Sequence, residues 1–84
     1  MLHYHPMDIH RVVGKNIRKL REAKGYSQEE LAERAGLKRS YFGHIERGDR
    51  NVTLTSLNQI AVALKVHPSV LMLSNAFEYE GASN

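Results

Sequence analysis

Apolar residues recur along the chain at intervals of three and four positions, which is the period of an amphipathic α-helix. In the first such stretch the apolar positions are Ile9, Val12, Val13, Ile17 and Leu20. Gly25 can end this helix, and Lys24 suits the negative end of the helix dipole. The pattern therefore predicts a first helix over about residues 9–24.

The next two helices are predicted to be short and close together. Ser27 and Glu30 have the spacing of a capping box, in which each side chain bonds to the backbone N–H of the other residue. The second helix then covers about residues 28–35, and Gly36 ends it because glycine tolerates a positive φ. The third helical pattern has its apolar side at Tyr41, Phe42 and Ile45 and closes at Arg47 and Gly48.

Two more helices are predicted in the second half of the chain. Thr53 or Thr55 can cap the fourth, and Pro68 fits the first position of the fifth, where a missing N–H costs nothing. The inner positions of the fourth helix are Leu54, Leu57, Ile60, Ala61 and Leu64. No alternating strand pattern occurs, so the predicted fold class is all-α, a compact five-helix bundle.

The length of 84 residues predicts one domain with a modest core. We expect a flexible N-terminal arm over residues 1–8, the folded domain over residues 9–77 and a frayed tail over residues 78–84. The N-terminus lacks the apolar region of an export signal, and no apolar stretch has the length of a membrane span. These features favour a soluble cytoplasmic protein.

Charge and composition narrow the function further. Residues 1–50 contain eleven of the twelve Lys and Arg residues against seven acids, whereas residues 51–84 contain one base and two acids. A basic half next to a nearly uncharged half suggests one face for a polyanion and another for packing or oligomerisation. The absence of cysteine excludes disulfides, thiolate metal sites and a cysteine nucleophile.

The second and third helices have the spacing of a helix-turn-helix. Two short helices joined by about three residues cross at a steep angle rather than lying antiparallel. Such a crossing needs a small residue where the helices touch, for which Ala32 is placed, and a turn residue such as Gly36. The apolar positions that would lock the two helices together are Leu31, Ala35, Leu37, Phe42 and Ile45.

The stretch SQEELAERAGLKRSYFGHIERG, residues 27–48, resembles the DNA-binding motif of the lambda-repressor and Cro-like group, the XRE family. The resemblance extends over about residues 9–73 and implies a lambda-repressor-like domain that binds double-stranded DNA. The following RGDRNVTLTSLNQIAVAL also resembles the restriction–modification controller proteins, which are stand-alone, dimeric, autoregulating transcription factors.

This resemblance implies that the third helix enters the major groove with its N-terminal end leading. Arg39, Ser40 and His44 match the base-reading positions, and Arg39 can donate to both O6 and N7 of guanine. Contacts to the DNA backbone are expected from Ser27, Gln28, Lys38, Tyr41, Arg47 and Arg50. Lys38 departs from the family because Ser, Thr or Asp usually caps this helix, so either the helix start frays without a phosphate or Arg39 is misassigned by one residue.

Two further sets of residues complete the predictions. The resemblance implies a structural ion pair between Arg21 and Glu46, the alternative being an exposed Glu46 in a basic neighbourhood. A dimer interface is predicted because the apolar stretch near the C-terminus is too long for one small core, the alternative being core packing. Its residues are Val66, Val70, Leu71, Met72, Leu73 and Phe77.

The predicted function is binding to a palindromic operator as a homodimer, without a cofactor or metal. His3, His5, Asp8 and His10 could bind a metal, but such a cluster in a loose arm is more often idle. No set of nucleophile, base and orienting residue points to an enzyme. The alternatives are an antitoxin with a toxin partner and a protein–protein adaptor on the same fold.

Overall fold

A computed structural model describes residues 8–74, which form four α-helices followed by one short 3₁₀-helix. No strand occurs in this range, which confirms the all-α class. The helices are α1 Ile9–Ala23, α2 Gln28–Ala35, α3 Arg39–Arg47 and α4 Leu54–Leu64, and the 3₁₀-helix is Pro68–Met72. None of them is long and apolar enough to cross a membrane.

Side chains cap three of the α-helices at their N-termini. Asp8, at the end of the predicted arm, accepts a hydrogen bond from the backbone of Arg11 and so begins α1. The predicted capping box of α2 is formed, with 3.0 Å from Glu30 N to Ser27 Oγ and 2.8 Å from Ser27 N to Glu30 Oε1. The hydrogen bond from the Ser27 backbone lowers the pKa of Glu30. Thr53, rather than Thr55, caps α4.

The core lies between the pair formed by α1 and α3 and the pair formed by α2 and α4. α1 packs against α3 and the 3₁₀-helix, while α2 packs against α3 and α4. The largest side chains with no appreciable exposure come from all five elements and are Ile17, Leu31, Phe42, Ile45, Ile60, Leu64 and Leu71. A single core therefore fixes the orientation of α3 relative to the other helices.

The backbones of α1 and α3 touch at Gly14, a position that the apolar pattern does not single out. A Cβ atom added to Gly14 would lie 2.6 Å from the carbonyl oxygen of Ile45 and closer still to that of Glu46. Both neighbours are backbone atoms, so no side chain can move aside to make room. Glycine is therefore required at this point of α1 for α3 to approach so closely.

Asn16 fastens the end of the described chain to α1. Its side chain is buried, and its Nδ2 donates to the carbonyl oxygens of Leu71 at 2.9 Å and Leu73 at 2.7 Å. These two bonds use both hydrogens of the amide. They hold the 3₁₀-helix against α1.

The position of Leu71 corrects the predicted dimer interface at that residue. Leu71 has 0% exposure, so it belongs to the core of the protomer and is not available to a second copy. Its neighbours Met72 and Leu73 are exposed by 40% and 51%, and Val66 and Val70 are half-buried. Phe77 lies outside the described residues, as do residues 1–7 of the predicted arm and the predicted tail.

The close approach at Gly14 leads to a stability prediction. We expect Gly14→Ala to lower the free energy of unfolding by about 2–3 kcal/mol, because the added methyl group forces α1 and α3 apart. The measurement is urea denaturation of the variant and the unsubstituted protein.

Gly43→Ala is the matched control, since Gly43 also lies inside a helix. There a Cβ would meet only the Nη1 of the Arg47 side chain, at 3.4 Å. Alanine should therefore raise the stability by about 0.5–1 kcal/mol through its helix propensity. Equal gains from both substitutions would show that the backbone of α1 does not press on α3.

Candidate nucleic-acid interface

The carboxylate of Glu46 joins the three helices that form the candidate interface. Arg21 of α1 donates to it from Nε at 2.6 Å and from Nη2 at 3.1 Å, and Gln28 of α2 donates from Nε2 at 2.8 Å. Only 3% of the Glu46 side chain and 11% of the Arg21 side chain are exposed. Arg21 also donates from Nη1 to the carbonyl oxygen of Tyr26 at 2.9 Å, which secures the turn before α2.

The electrostatics of this pair are simple. The hydrogen bond to Glu46 raises the pKa of Arg21 above a value that is already high, so the guanidinium is always charged. Each oxygen of Glu46 accepts at least one of the three hydrogen bonds, as a buried carboxylate requires. The structure thus contains the Arg21–Glu46 pair and adds Gln28 as a third member.

The position of Gln28 bears on one of the predicted phosphate contacts. Its side-chain amide is turned toward Glu46 because the buried carboxylate needs a neutral donor that adds no second charge. The second hydrogen of this amide and the backbone N–H of Gln28 remain to meet an anion at the start of α2. Ser27 likewise uses its N–H within the capping box, which leaves its hydroxyl as the group that could donate to a phosphate.

The N-terminal end of α3 is exposed and rich in donors. Lys38 is the N-cap and makes no side-chain capping bond, as its type predicts. Arg39 is the first residue of the helix, followed by Ser40, and both side chains are exposed. The first N–H groups of α3 therefore have no acceptor from the Lys38 side chain, and an incoming anion could supply one.

Carboxylates of α2 border this end of α3. Arg39 shares an open groove with Glu29, Glu33, Ala32 and Leu37. The positive surface of α3 is thus limited on one side by the acidic face of α2. An anion would be favoured at the exposed end of α3 and disfavoured above α2.

Three charged or titratable side chains form a cluster at the other end of α3. His44 Nδ1 lies 2.7 Å from Asp49 Oδ1, and Arg47 Nε donates to Asp49 Oδ2 at 3.1 Å. The hydrogen bonds from His44 and Arg47 lower the pKa of Asp49. Asp49 lies in the turn after α3, and its closeness in sequence to two predicted contact residues is the one sequence signal that indicates it.

Other predicted residues are placed as follows. Tyr41 is half-buried against the core, and its hydroxyl donates weakly to the carbonyl oxygen of Asn51 at 3.4 Å. Arg50 is exposed in the loop after α3 and has no ion pair with another residue in the range 8–74. Gly43 is buried beneath the side chain of Arg47.

Of the possible metal cluster, Asp8 and His10 lie within the described residues. No three His, Asp or Glu side chains within residues 8–74 come together as a metal-binding group. His3 and His5 lie outside the described residues. His10 is partly buried in α1, and its Nδ1 has no hydrogen-bond partner in the described part of the chain.

The network around Glu46 leads to a second stability prediction. Glu46→Ala should lower the free energy of unfolding by about 2–4 kcal/mol, because it leaves the Arg21 guanidinium and the Gln28 amide without their acceptor. Chemical denaturation measures the change.

The control is Glu22→Ala, which breaks the exposed Arg18–Glu22 pair at 3.2 Å on the surface of α1. That pair should contribute about 0.5 kcal/mol or less because water screens it. If the two variants lost equal stability, Glu46 would be acting as an ordinary surface residue.

Comparison with known proteins identifies the family of this chain. The profile of the helix-turn-helix family matches residues 17–71. The control protein C.SmaI of Serratia marcescens is 40% identical over 74 residues, which make up 88% of each chain. Both resemblances predicted from the sequence, to the XRE family and to the controller proteins, are confirmed.

Solved structures of regulators have a similar fold. The restriction–modification controller C.AhdI of Aeromonas hydrophila matches with a TM-score of 0.72 and 48% identity, over 74% of this chain and 94% of that one. SinR, the master regulator for biofilm formation, was solved in complex with DNA and matches with a TM-score of 0.69 and 37% identity. That match covers 73% of this chain and 98% of the SinR chain.

Proposed function

Because the chain belongs to the helix-turn-helix family of DNA-binding transcriptional regulators, we propose that it binds a palindromic operator as a homodimer. Its action is binding rather than catalysis. The resemblance to the controller proteins leads us to include autoregulation in this proposal: the operator would control the protein's own synthesis. Bound there, the dimer blocks or recruits the polymerase.

The observation that supports this proposal most directly is the division of α3 into two faces. Phe42, Ile45 and Glu46 are buried and lock the helix to α1 and α2. The first turn, with Arg39 and Ser40, is exposed and points away from the core. A helix held rigidly on one side, with free donors at its N-terminal end, suits insertion into a major groove.

Backbone contacts would come from around this helix. Lys38 precedes it, Arg47 lies at its C-terminal end and Arg50 follows in the loop, and all three side chains are exposed. The hydroxyl of Ser27 and the N-terminus of α2 add donors for a phosphate, where the helix dipole also favours an anion. Such contacts set affinity and register, while Arg39, Ser40 and His44 read bases.

The dimer would use the exposed apolar end of the described chain. Met72 and Leu73 are exposed next to each other, and Asn16 holds the backbone of this segment in place. Val66 and Val70 lie half-buried in the same part of the chain. A two-fold axis there would set two copies of α3 into successive major grooves, about 34 Å apart.

Substitution of two arginines distinguishes a contact to a base from a contact to the DNA backbone. Arg39→Ala should cost about 1–3 kcal/mol on a selected duplex and much less on a scrambled one, because it removes a base contact. Arg50→Ala should weaken binding to both duplexes similarly and make the salt dependence shallower by about one counterion.

Fluorescence anisotropy over a series of salt concentrations, with duplexes selected from a random pool, provides both comparisons. The scrambled duplex is the control for Arg39→Ala, since unfolding would weaken both complexes alike. The salt dependence is the control for Arg50→Ala, since a smaller folded fraction lowers the affinity without removing a phosphate contact. The proposed orientation of α3 is wrong if Arg39→Ala weakens both duplexes equally while Arg50→Ala changes the sequence preference.

The dimer has its own test. We expect sedimentation of a dimer at about micromolar protein concentration, and a monomer for Leu73→Asp, because a charge cannot be buried in an apolar interface without a partner. Leu54→Asp is the control, since Leu54 is 80% exposed at the start of α4 and lies outside the proposed interface. A monomer for the unsubstituted protein, with and without DNA, would refute the proposal.

A further inference from the structure

His44 approaches Asp49 through one specific ring nitrogen. The contact of 2.7 Å involves Nδ1, the nitrogen nearer to the backbone, and Asp49 Oδ1. Nε2, at the far end of the ring, makes no hydrogen bond within residues 8–74, and a third of the side chain is exposed. The cluster therefore engages the inner nitrogen, Nδ1, and leaves the outer nitrogen, Nε2, available for a hydrogen bond to another molecule.

The chemistry of the partner decides which nitrogen carries the proton. An ionised carboxylate only accepts hydrogen bonds, so Nδ1 must be the donor at this distance. The hydrogen bonds from His44 and from Arg47 lower the pKa of Asp49, which keeps its carboxylate ionised. A neutral imidazole has one N–H, so with the proton on Nδ1 the outer nitrogen Nε2 is a bare acceptor.

Arg47 offers the competing arrangement. Its Nη2 lies 3.0 Å from His44 Nδ1 and could donate to that nitrogen if the nitrogen were bare. The lone pair of Nδ1 would then face the carboxylate oxygen at 2.7 Å, which is repulsive. Arg47 can instead bond to the other carboxylate oxygen, as it does at 3.1 Å, without any conflict. The arrangement with the proton on Nδ1 satisfies all three side chains.

We propose that, with the His44 ring neutral, Asp49 determines base specificity by fixing His44 in the tautomer whose outer nitrogen accepts a hydrogen bond. This inference rests on the proposed function, in which His44 reads a base. An acceptor in the major groove pairs with the amino group of cytosine N4 or adenine N6, and it is repelled by O6 and N7 of guanine and by O4 of thymine. Asp49 is thus a positioning residue that acts through His44.

The tautomer can be measured without DNA. Nitrogen-15 chemical shifts of the imidazole ring distinguish Nδ1–H from Nε2–H at a pH where the ring is neutral. His67 provides an internal reference, because its Nδ1 accepts from the backbone N–H of Ser69 at 3.1 Å and its proton is therefore on Nε2. We expect His44 to show the opposite pattern to His67.

Asp49→Asn should remove this preference. The asparagine amide can donate to Nδ1 as well as accept from it, so the proton is free to move to Nε2. We expect the His44 shifts to move toward those of His67 while the His67 shifts stay unchanged. His44 already populating the Nε2–H form in the unsubstituted protein would overturn the proposal.

Base preference provides the second readout. The substitution His44→Ala first identifies the position of the selected duplex at which the base preference depends on His44. That position is then varied through all four base pairs. There the unsubstituted protein should favour cytosine or adenine on the contacted strand, and Asp49→Asn should shift the ratio toward guanine or thymine by about tenfold. In the His44→Ala background Asp49→Asn should change no ratio.

Removing a carboxylate near DNA also raises affinity in general, so a charge control is needed. Glu29→Gln removes a carboxylate from the α2 side of the groove beside Arg39, far in sequence from His44. It should raise the affinity for all four duplexes alike and leave both the base ratio and the His44 shifts unchanged. A ratio that Glu29→Gln alters as much as Asp49→Asn would overturn the proposal.

The remaining outcomes separate this inference from the proposed function. If the unsubstituted protein binds selected and scrambled duplexes equally, the proposed function fails and the base selection with it, whatever the tautomer. If it prefers the selected duplex but His44→Ala flattens no position, His44 reads no base and only the present inference fails. It also fails if Asp49→Asn moves neither the ring shifts nor the ratio.

Discussion

The buried carboxylate of Glu46 accepts three hydrogen bonds from two other helices, and the placement of α3 depends on it. Arg21 reaches it from α1 and Gln28 from α2, while the carboxylate itself belongs to the helix that would enter DNA. A charge so deeply buried is tolerated only when it is paired with an opposite charge and hydrogen-bonded. The three helices therefore keep one relative orientation, since any rotation of α3 would leave a buried charge without partners.

Close backbone packing complements this network. Gly14 lets α1 touch the carbonyl groups of Ile45 and Glu46 at the C-terminal end of α3. One end of the helix is thus held by contact and by charge, while the other end, beginning at Arg39, stays exposed. A regulator that reads bases needs this combination, because the groups that meet DNA must be free in solvent yet carried on a rigid element.

Much of this arrangement follows from local signals in the sequence. The capping box of Ser27 and Glu30 and the stop at Gly36 act within a few residues, so the bounds of α2 were predicted to the residue. Lys38 was correctly identified as a cap without an acceptor. Pro68 marks the start of the fifth helix as predicted, but this element is five residues of 3₁₀-helix, which the apolar run after Pro68 did not indicate.

The sequence alone determined the helices, their order, the steep crossing of α2 and α3, and through its resemblance the pairing of Arg21 with Glu46. Tertiary structure alone decided which residues of the C-terminal apolar stretch are covered. Leu71 is in the core while Leu73 is exposed, although both are leucines in one apolar stretch, because Asn16 binds the backbone at both and so sets its rotation. Gln28 turns inward for a similar reason: its partner Glu46 lies on a different helix, and the distance between them arises only when α2 and α3 pack.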